Sequence, residues 1–214
     1  MKKILFTGGG SAGHVVPNVA LIKELLKTGE VDITYMGTDG IEKSIITSLG
    51  IPYYTISCPK LIRGGIKTFV KNLQIPAQLK QAKKQAVDGL KIIKPDLVFS
   101  KGGYVALPVV LAAATLKIPC LTHESDFSVG LANKLIAGKC ERVLTAFPET
   151  ATKFKNGKYC GAPIRKELFY ADKKSAKKHF ALTNGKKVLL IFGGGCGSEK
   201  INDAIRRYIV DLTD

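Results

Sequence analysis

The stretch TGGGSAGHVVP, Thr7 to Pro17, follows directly on the short apolar run KKILF near the start of the chain. A glycine-rich turn between a strand and a helix lets backbone N–H groups close on an anion, and the helix N-terminus adds positive potential. Gly8, Gly10 and Gly13 fit the G-x-G-x-x-G dinucleotide spacing. That spacing alone does not separate a nicotinamide dinucleotide from a lipid or sugar diphosphate. A nicotinamide enzyme also needs an acid at the end of its second strand for the ribose hydroxyls. The second candidate strand, VDITYMG (31–37), runs on into Thr38, with Asp39 already in a turn, and this disfavours NAD(P).

Outward from this loop, short apolar runs alternate with helical patterns, which is the signature of a parallel α/β sheet. KKILFT (2–7), VDITYMG (31–37), PYYTIS (52–57), DLVFSKGG (96–103), PCLTHE (119–124) and RVLTAF (142–147) read as strands. Helical spacing is expected after Pro17, through IEKSIITSLG, in two basic amphipathic stretches separated by Pro76, in LPVVLAAATL and in VGLANKLIA. The stretch from Thr150 to Tyr159 is polar, and GAPIR (161–165) has the composition of a linker. A helical KKSAKKHFAL, a fresh strand KKVLLIF (186–192), a third glycine loop and a last helix follow. The unit of strand, glycines and helix thus occurs three times. This predicts a Rossmann-like domain over 1–160, then a linker and the opening of a second such domain over 161–214.

The formal net charge is +16, from 33 Lys and Arg against 17 Asp and Glu. It is concentrated between Cys58 and Lys94, where nine cations meet one acid, Asp88. Such a field attracts anionic surfaces or polyphosphates. No RNA- or DNA-binding motif accompanies it, and aromatic residues are 7% with no Trp, so no nucleic-acid partner is expected. The five cysteines are widely spaced without a C-x-x-C pair, which suits reduced thiols. No run approaches the length of a membrane span, and the apolar part of MKKILFTGGG is too short for a signal peptide, so a cytoplasmic location is expected.

Chemistry-bearing residues gather at the ends of the candidate strands. His14 follows the third glycine, where its imidazole would face whatever the loop holds, and a histidine near neutral pKa suits a general base. Gly102 and Gly103 end the fourth strand beside Tyr104, and His123, Glu124, Ser125 and Asp126 end the fifth. Ligands of open α/β sheets bind at that edge.

Taken together, GGGSAGHVVPN, SKGGYVALPVVLAA, THESDFSVGLANK, GAPIRKEL and GGGCGSEKIN, in this order and spacing, resemble the MurG family of peptidoglycan glycosyltransferases (glycosyltransferase family 28) along essentially the whole chain. The resemblance implies a GT-B architecture, two Rossmann-like domains facing across a cleft. It implies inverting transfer of N-acetylglucosamine from UDP-N-acetylglucosamine (UDP-GlcNAc) to the 4-hydroxyl of undecaprenyl-linked lipid I, with no cofactor and no metal required. By the same likeness His14 matches the base. Ser11, Ala12, Gly13, Arg165 and Gly195 match donor-side positions, and Gly9, Gly10, Gly102, Gly103, Tyr104, His123, Glu124, Asp126 and Asn133 match acceptor-side ones, with the first two glycine loops around the acceptor diphosphate. The basic section from Leu61 to Lys94, with Arg63, Ile66, Lys67, Phe69, Val70, Lys71 and Leu73, corresponds to a patch that would meet the anionic inner leaflet of the plasma membrane, placing the protein peripherally there.

The sequence departs from the family pattern in three places. Asp126 stands where many relatives carry Asn, and Gly195 stands where Ser is usual. Family members are also longer, so the rest of the donor domain is expected to lie outside these 214 residues. The alternatives are a non-catalytic, acceptor-binding or membrane-anchoring subunit that recruits a separate donor domain or other cell-wall enzymes, and, less favoured, an NAD(P)-dependent Rossmann enzyme.

Overall fold

A computed structural model of the chain describes residues 1–60, 74–182, 187–193 and 197–213. The proposed membrane patch, 63–73, and Gly195 lie outside the described residues. The chain divides into two compact units, Met1–Leu168 and Phe169–Asp214.

The first unit is built on seven parallel strands: β1 (Lys2–Thr7), β2 (Val31–Gly37), β3 (Tyr53–Thr55), β4 (Leu97–Ser100), β5 (Cys120–Glu124), β6 (Arg142–Thr145) and β7 (Gly157–Tyr159). Their order is β3-β2-β1-β4-β5-β6-β7. Helices α1 (Ala12–Leu26), α2 (Ile41–Thr47), α3 (Ile75–Ile93), α4 (Ala106–Thr115), α5 (Leu131–Ile136) and the short α6 (Pro148–Ala151) connect them. The α/β class expected from the alternating pattern is what the chain adopts.

Consecutive strand residues point to opposite faces of a sheet, and this sorts the core into two layers. Leu5, Met36 and Val98 pack with Ala86 and Leu90 of α3 and Val109, Val110 and Ala113 of α4. Their neighbours Phe6, Tyr35 and Phe99 pack on the other face with Val15, Val19 and Ile22 of α1 and Ile46 of α2. Strands covered on both sides are apolar throughout, which is why they read as unbroken apolar runs.

The same packing corrects one reading of the basic section. In α3 the apolar stripe of Ala82, Ala86 and Leu90 is buried in the core, and Lys80, Lys84 and Lys91 face solvent. This helix offers a membrane only its charge, with no free apolar face.

The polar stretch 150–159 also has structure of its own, the end of α6 and the edge strand β7. Gly157 lies so close to the Ala151 carbonyl that no side chain would fit between them. A short edge strand with Lys158 and Tyr159 exposed shows no apolar run. Residues 161–165, read as linker, belong to the first compact unit, which runs to Leu168. Lys166 lies 2.6 Å from Glu24 of α1 and Glu167 lies 3.6 Å from Lys23, though exposed pairs of this kind contribute little stability.

In the second unit, helices α7 (Lys173–His179) and α8 (Glu199–Thr213) form as expected, α7 with Asp172 as its N-cap accepting from the Ser175 N–H at 2.7 Å. The strand expected over 186–192 does not form among the described residues 187–193. Leu189, Leu190 and Phe192 are exposed there, as expected of an apolar segment with no sheet to join. Among the described residues no helix is long and apolar enough to cross a membrane.

Candidate functional site

The strand order reverses direction at the neighbouring pair β1 and β4, where Thr7 lies opposite Ser100. The two chains leave the sheet side by side at its carboxyl edge, so the first glycine loop (8–13) and the second (101–104) are in contact. Gly103 has a left-handed φ of +79°, and a Cβ there would stand 2.6 Å from the Gly9 carbonyl oxygen and 3.0 Å from Cδ2 of His14. Only glycine allows both the backbone turn and the close approach.

The first loop rests on a buried polar network. The Tyr35 hydroxyl donates to the Gly8 carbonyl at 2.5 Å, and Asn18 Nδ2 donates to the Tyr35 oxygen at 3.0 Å and to the Thr7 carbonyl at 3.2 Å. Beside it lies Glu42, fully buried in the first turn of α2. Its carboxylate accepts from the Thr38 hydroxyl at 2.5 Å, the Thr38 N–H at 3.1 Å and the Gly10 N–H at 3.3 Å. At least one N–H of the loop expected to cradle a diphosphate is therefore directed to an internal carboxylate. Of the two acids that follow the second strand, Glu42 is closed to a ribose by its bonds and burial, and Asp39 lies exposed in the turn, paired with Lys43 at 2.8 Å. The Tyr104 ring lies against Gly10.

His14, half-buried near the start of α1, bonds through Nδ1 to the Lys101 carbonyl at 3.2 Å. A carbonyl only accepts, so Nδ1 carries the proton and Nε2 keeps its lone pair. Burial holds the His14 pKa below its ordinary value of 6.5, and the Lys101 ammonium pushes it the same way, against the bond to the Lys101 carbonyl and the charges of Asp126 and Glu124. At neutral pH the imidazole is uncharged, with its basic nitrogen free of any bond among the described residues.

At the end of β5, His123 Nε2 donates to the Gly161 carbonyl at 2.8 Å, and burial again lowers the imidazole pKa. Glu124 accepts from the Asp126 N–H at 3.0 Å, the Gly130 N–H at 2.9 Å and Asn133 Nδ2 at 2.9 Å. Asn133 also accepts from the Thr122 hydroxyl at 3.0 Å. Glu124 and Asn133 are thus engaged in shaping the 125–130 loop from within. Asp126 is exposed at the rim, Ser11, Ala12 and Gly13 open α1, and Arg165 is exposed in the segment after β7. The structure gathers His14, the two glycine loops, Tyr104, His123 and Glu124 at one edge of the sheet.

Two residues at this edge escaped the sequence reading, Glu42 and Lys101. Lys101 is only 2% exposed, and its ammonium donates to Ser125 Oγ at 2.6 Å. A charge placed between a buried strand and a glycine pair, as in SKGG, was the available signal. Among the described residues no three His, Cys, Asp or Glu side chains converge as a metal-ligand set.

An all-parallel sheet with paired glycine loops and a histidine at its switch point defines a Rossmann-like domain with its ligand edge at the carboxyl ends of the strands. Residues 4–145 match the glycosyltransferase family 28 N-terminal domain, and the chain belongs to that family. Among curated relatives it is 45% identical over 215 residues to the UDP-N-acetylglucosamine–N-acetylmuramyl-(pentapeptide) pyrophosphoryl-undecaprenol N-acetylglucosamine transferase of Lachnospira eligens, covering 99% of this chain and 60% of that one. The transferase of the same name from Clostridium botulinum strain Langeland is 46% identical, with the same coverage of 99% and 60%. The chain thus spans about three fifths of the length of these relatives. Among solved structures, MurG of Acinetobacter baumannii is similar with a TM-score of 0.63 at 27% identity, over 79% of this chain and 47% of that one. The UDP-GlcNAc 2-epimerase of Neisseria meningitidis, at 14% identity and a TM-score of 0.58 over 97% of this chain and 63% of that one, shares the fold alone.

Two outcomes are expected. Tyr35→Phe removes the donor to Gly8 and the acceptor of Asn18 and should lower unfolding free energy by about 1–3 kcal/mol in urea titrations. The buried imidazoles give the second. Both folded pKa values lie below the unfolded value of 6.5, so the unfolded chain binds protons first as pH falls. Stability should be full above that value and decline as pH drops through the folded values, read as a falling urea midpoint at pH values still above the carboxylate range.

Proposed function

We propose that this chain forms the acceptor-binding and base-bearing part of an inverting N-acetylglucosaminyltransferase of peptidoglycan synthesis, with UDP-GlcNAc as donor and undecaprenyl-diphospho-N-acetylmuramoyl-pentapeptide as acceptor. The carrying observation is His14, with Nδ1–H tied to the Lys101 carbonyl and a free Nε2 lone pair where the two glycine loops meet. The substrates follow the names borne by relatives at 44–46% identity.

Nε2 of His14 takes the proton from the acceptor 4-hydroxyl as its oxygen forms a bond to C1 of N-acetylglucosamine. The C1–O bond to UDP breaks on the opposite face, and its electron pair leaves with the diphosphate, which inverts the anomeric centre. The imidazole gains one proton and becomes a cation, so a folded pKa lowered by burial matters: the base starts uncharged and ready at neutral pH. The proposed reaction uses no metal, and positive backbone and side-chain groups would balance the departing diphosphate. The acceptor diphosphate would meet the loop N–H groups that Glu42 leaves free, together with that of Gly103, since the Gly102 N–H already donates to Ser100 Oγ at 3.1 Å.

The lipid-linked acceptor implies a peripheral position on the inner face of the membrane. The cations between Cys58 and Lys94 support this electrostatically, each contributing about 1 kcal/mol at an anionic surface. The exposed apolar residues Leu189, Leu190 and Phe192 favour a second, compatible reading, in which a further donor segment packs onto the second unit.

The test joins this chain to the C-terminal two fifths of the Lachnospira eligens relative and follows radiolabelled sugar transfer to the lipid acceptor. His14→Ala should lower kcat by about 10²–10⁴-fold, and an unchanged rate would remove His14 as the base. In co-sedimentation, the chain should bind anionic vesicles, release with salt and ignore neutral ones; equal binding to both vesicle types would refute the electrostatic reading.

A further inference from the structure

Lys101 is an expensive residue. Burying an ammonium costs several kcal/mol unless it is paired, and among the described residues it forms no ion pair with a carboxylate. The single hydrogen bond of its ammonium among them is the one to Ser125. Burial depresses its pKa, and the charges of Glu124 and Asp126 only partly oppose this. A methionine would fill the same space without the penalty, so the charge calls for an explanation in what it touches.

Both ends of the residue lead to a buried imidazole. The backbone carbonyl accepts from His14 Nδ1 at 3.2 Å. The ammonium donates to Ser125 Oγ at 2.6 Å, and that oxygen lies a long 3.5 Å from Nδ1 of His123, whose Nε2 donates to the Gly161 carbonyl at 2.8 Å. Donor directions along this chain are forced. Gly161 can only accept, so His123 carries its proton on Nε2; Nδ1 then accepts from the Ser125 hydroxyl, whose oxygen accepts from Lys101. The two histidines are held as opposite tautomers, His14 protonated on Nδ1 and His123 on Nε2.

We propose that Lys101 is the positioning residue of this site, holding His14 through its carbonyl and His123 through its ammonium and Ser125, so that each imidazole keeps one tautomer and the Nε2 lone pair of His14 stays available. Its catalytic meaning rests on the reading of His14 as the base, but the arrangement itself does not. The charged groups that act on His14 are Lys101 on one side and Asp126 and Glu124 on the other. Removing the cation leaves burial alone to oppose the two carboxylates, both of which favour the imidazolium. Lys101 is thus the charged group that, beside burial, keeps an acid-rimmed histidine neutral.

The experiment is a ¹⁵N-histidine NMR titration of the full 214-residue chain. The exposed His179 of the second unit serves as internal control. In the native protein His14 should show the Nδ1–H tautomer and His123 the Nε2–H tautomer. Lys101→Met should raise both midpoints, that of His14 by about one pH unit, and leave His179 unmoved. Ser125→Ala should raise the His123 midpoint, because a hydrogen bond to the neutral ring is lost, and leave His14 in place. A Lys101→Met chain with a native amide spectrum and unshifted His14 and His123 midpoints would overturn the proposal. If Lys101→Met does not fold, Ser125→Ala decides, and an unmoved His123 overturns it. Native activity retained in His14→Ala would overturn the base assignment and leave these titrations unaffected, so the two failures are distinguishable.

Discussion

The site depends on one pairing, β1 beside β4 in the middle of a parallel sheet. Because the strand order turns at this pair, the two loops leaving its carboxyl end have nothing between them. They pack backbone against backbone, with Gly103 against the Gly9 carbonyl and the His14 ring edge. A side chain at Gly103 would push the loops apart and free the imidazole from the Lys101 carbonyl. The fold as a whole, with its two apolar layers split between alternate residues of the same strands, serves to hold this pair in register.

Around that pairing the protein spends its buried polar groups in an unusual way. Three charged side chains, Glu42, Lys101 and Glu124, are nearly or fully buried at the carboxyl edge of the sheet. Each makes hydrogen bonds to loop backbone or to a neighbouring side chain. Glu42 holds the first glycine loop, Glu124 holds the loop of the THESD motif, and Lys101 reaches Ser125 between them. Buried charges satisfied in this manner rigidify loops that glycine would otherwise leave free. The resulting surface has a preset shape, which suits a reaction whose catalysis lies in placing a hydroxyl, a base and a departing diphosphate correctly.

Much of this was legible before any coordinates. The strands β1, β2 and β5 and the helices α1, α3 and α4 follow from apolar runs and helical spacing, since burial on both sheet faces leaves a strong compositional mark. β7 was not legible: an edge strand of three residues with exposed Lys158 and Tyr159 carries no apolar signal. The strand expected over 186–192 failed for the opposite reason, because an apolar run is a strand only where another strand supplies its hydrogen bonds. The apolar stripe of α3 was legible as amphipathic, but its destination was not, and packing sent it to the core rather than to a lipid surface.

The sequence by itself determined the α/β class, the family, and the residue types at the carboxyl edge, because glycine spacing, a histidine behind the third glycine and the order of five motifs are all properties of one dimension. Only the tertiary structure decided which groups are free to act. Glu124 read as an available carboxylate, and both it and Glu42, which carried no signal, are taken up inside the protein. Lys101 read as one cation among 33 basic residues and is a buried one that meets His14 through its carbonyl and reaches His123 through Ser125. The physical reason is that hydrogen-bond direction and burial are set between residues far apart in the chain, 87 positions from His14 to Lys101 and 38 from His123 to Gly161, where no local pattern reaches.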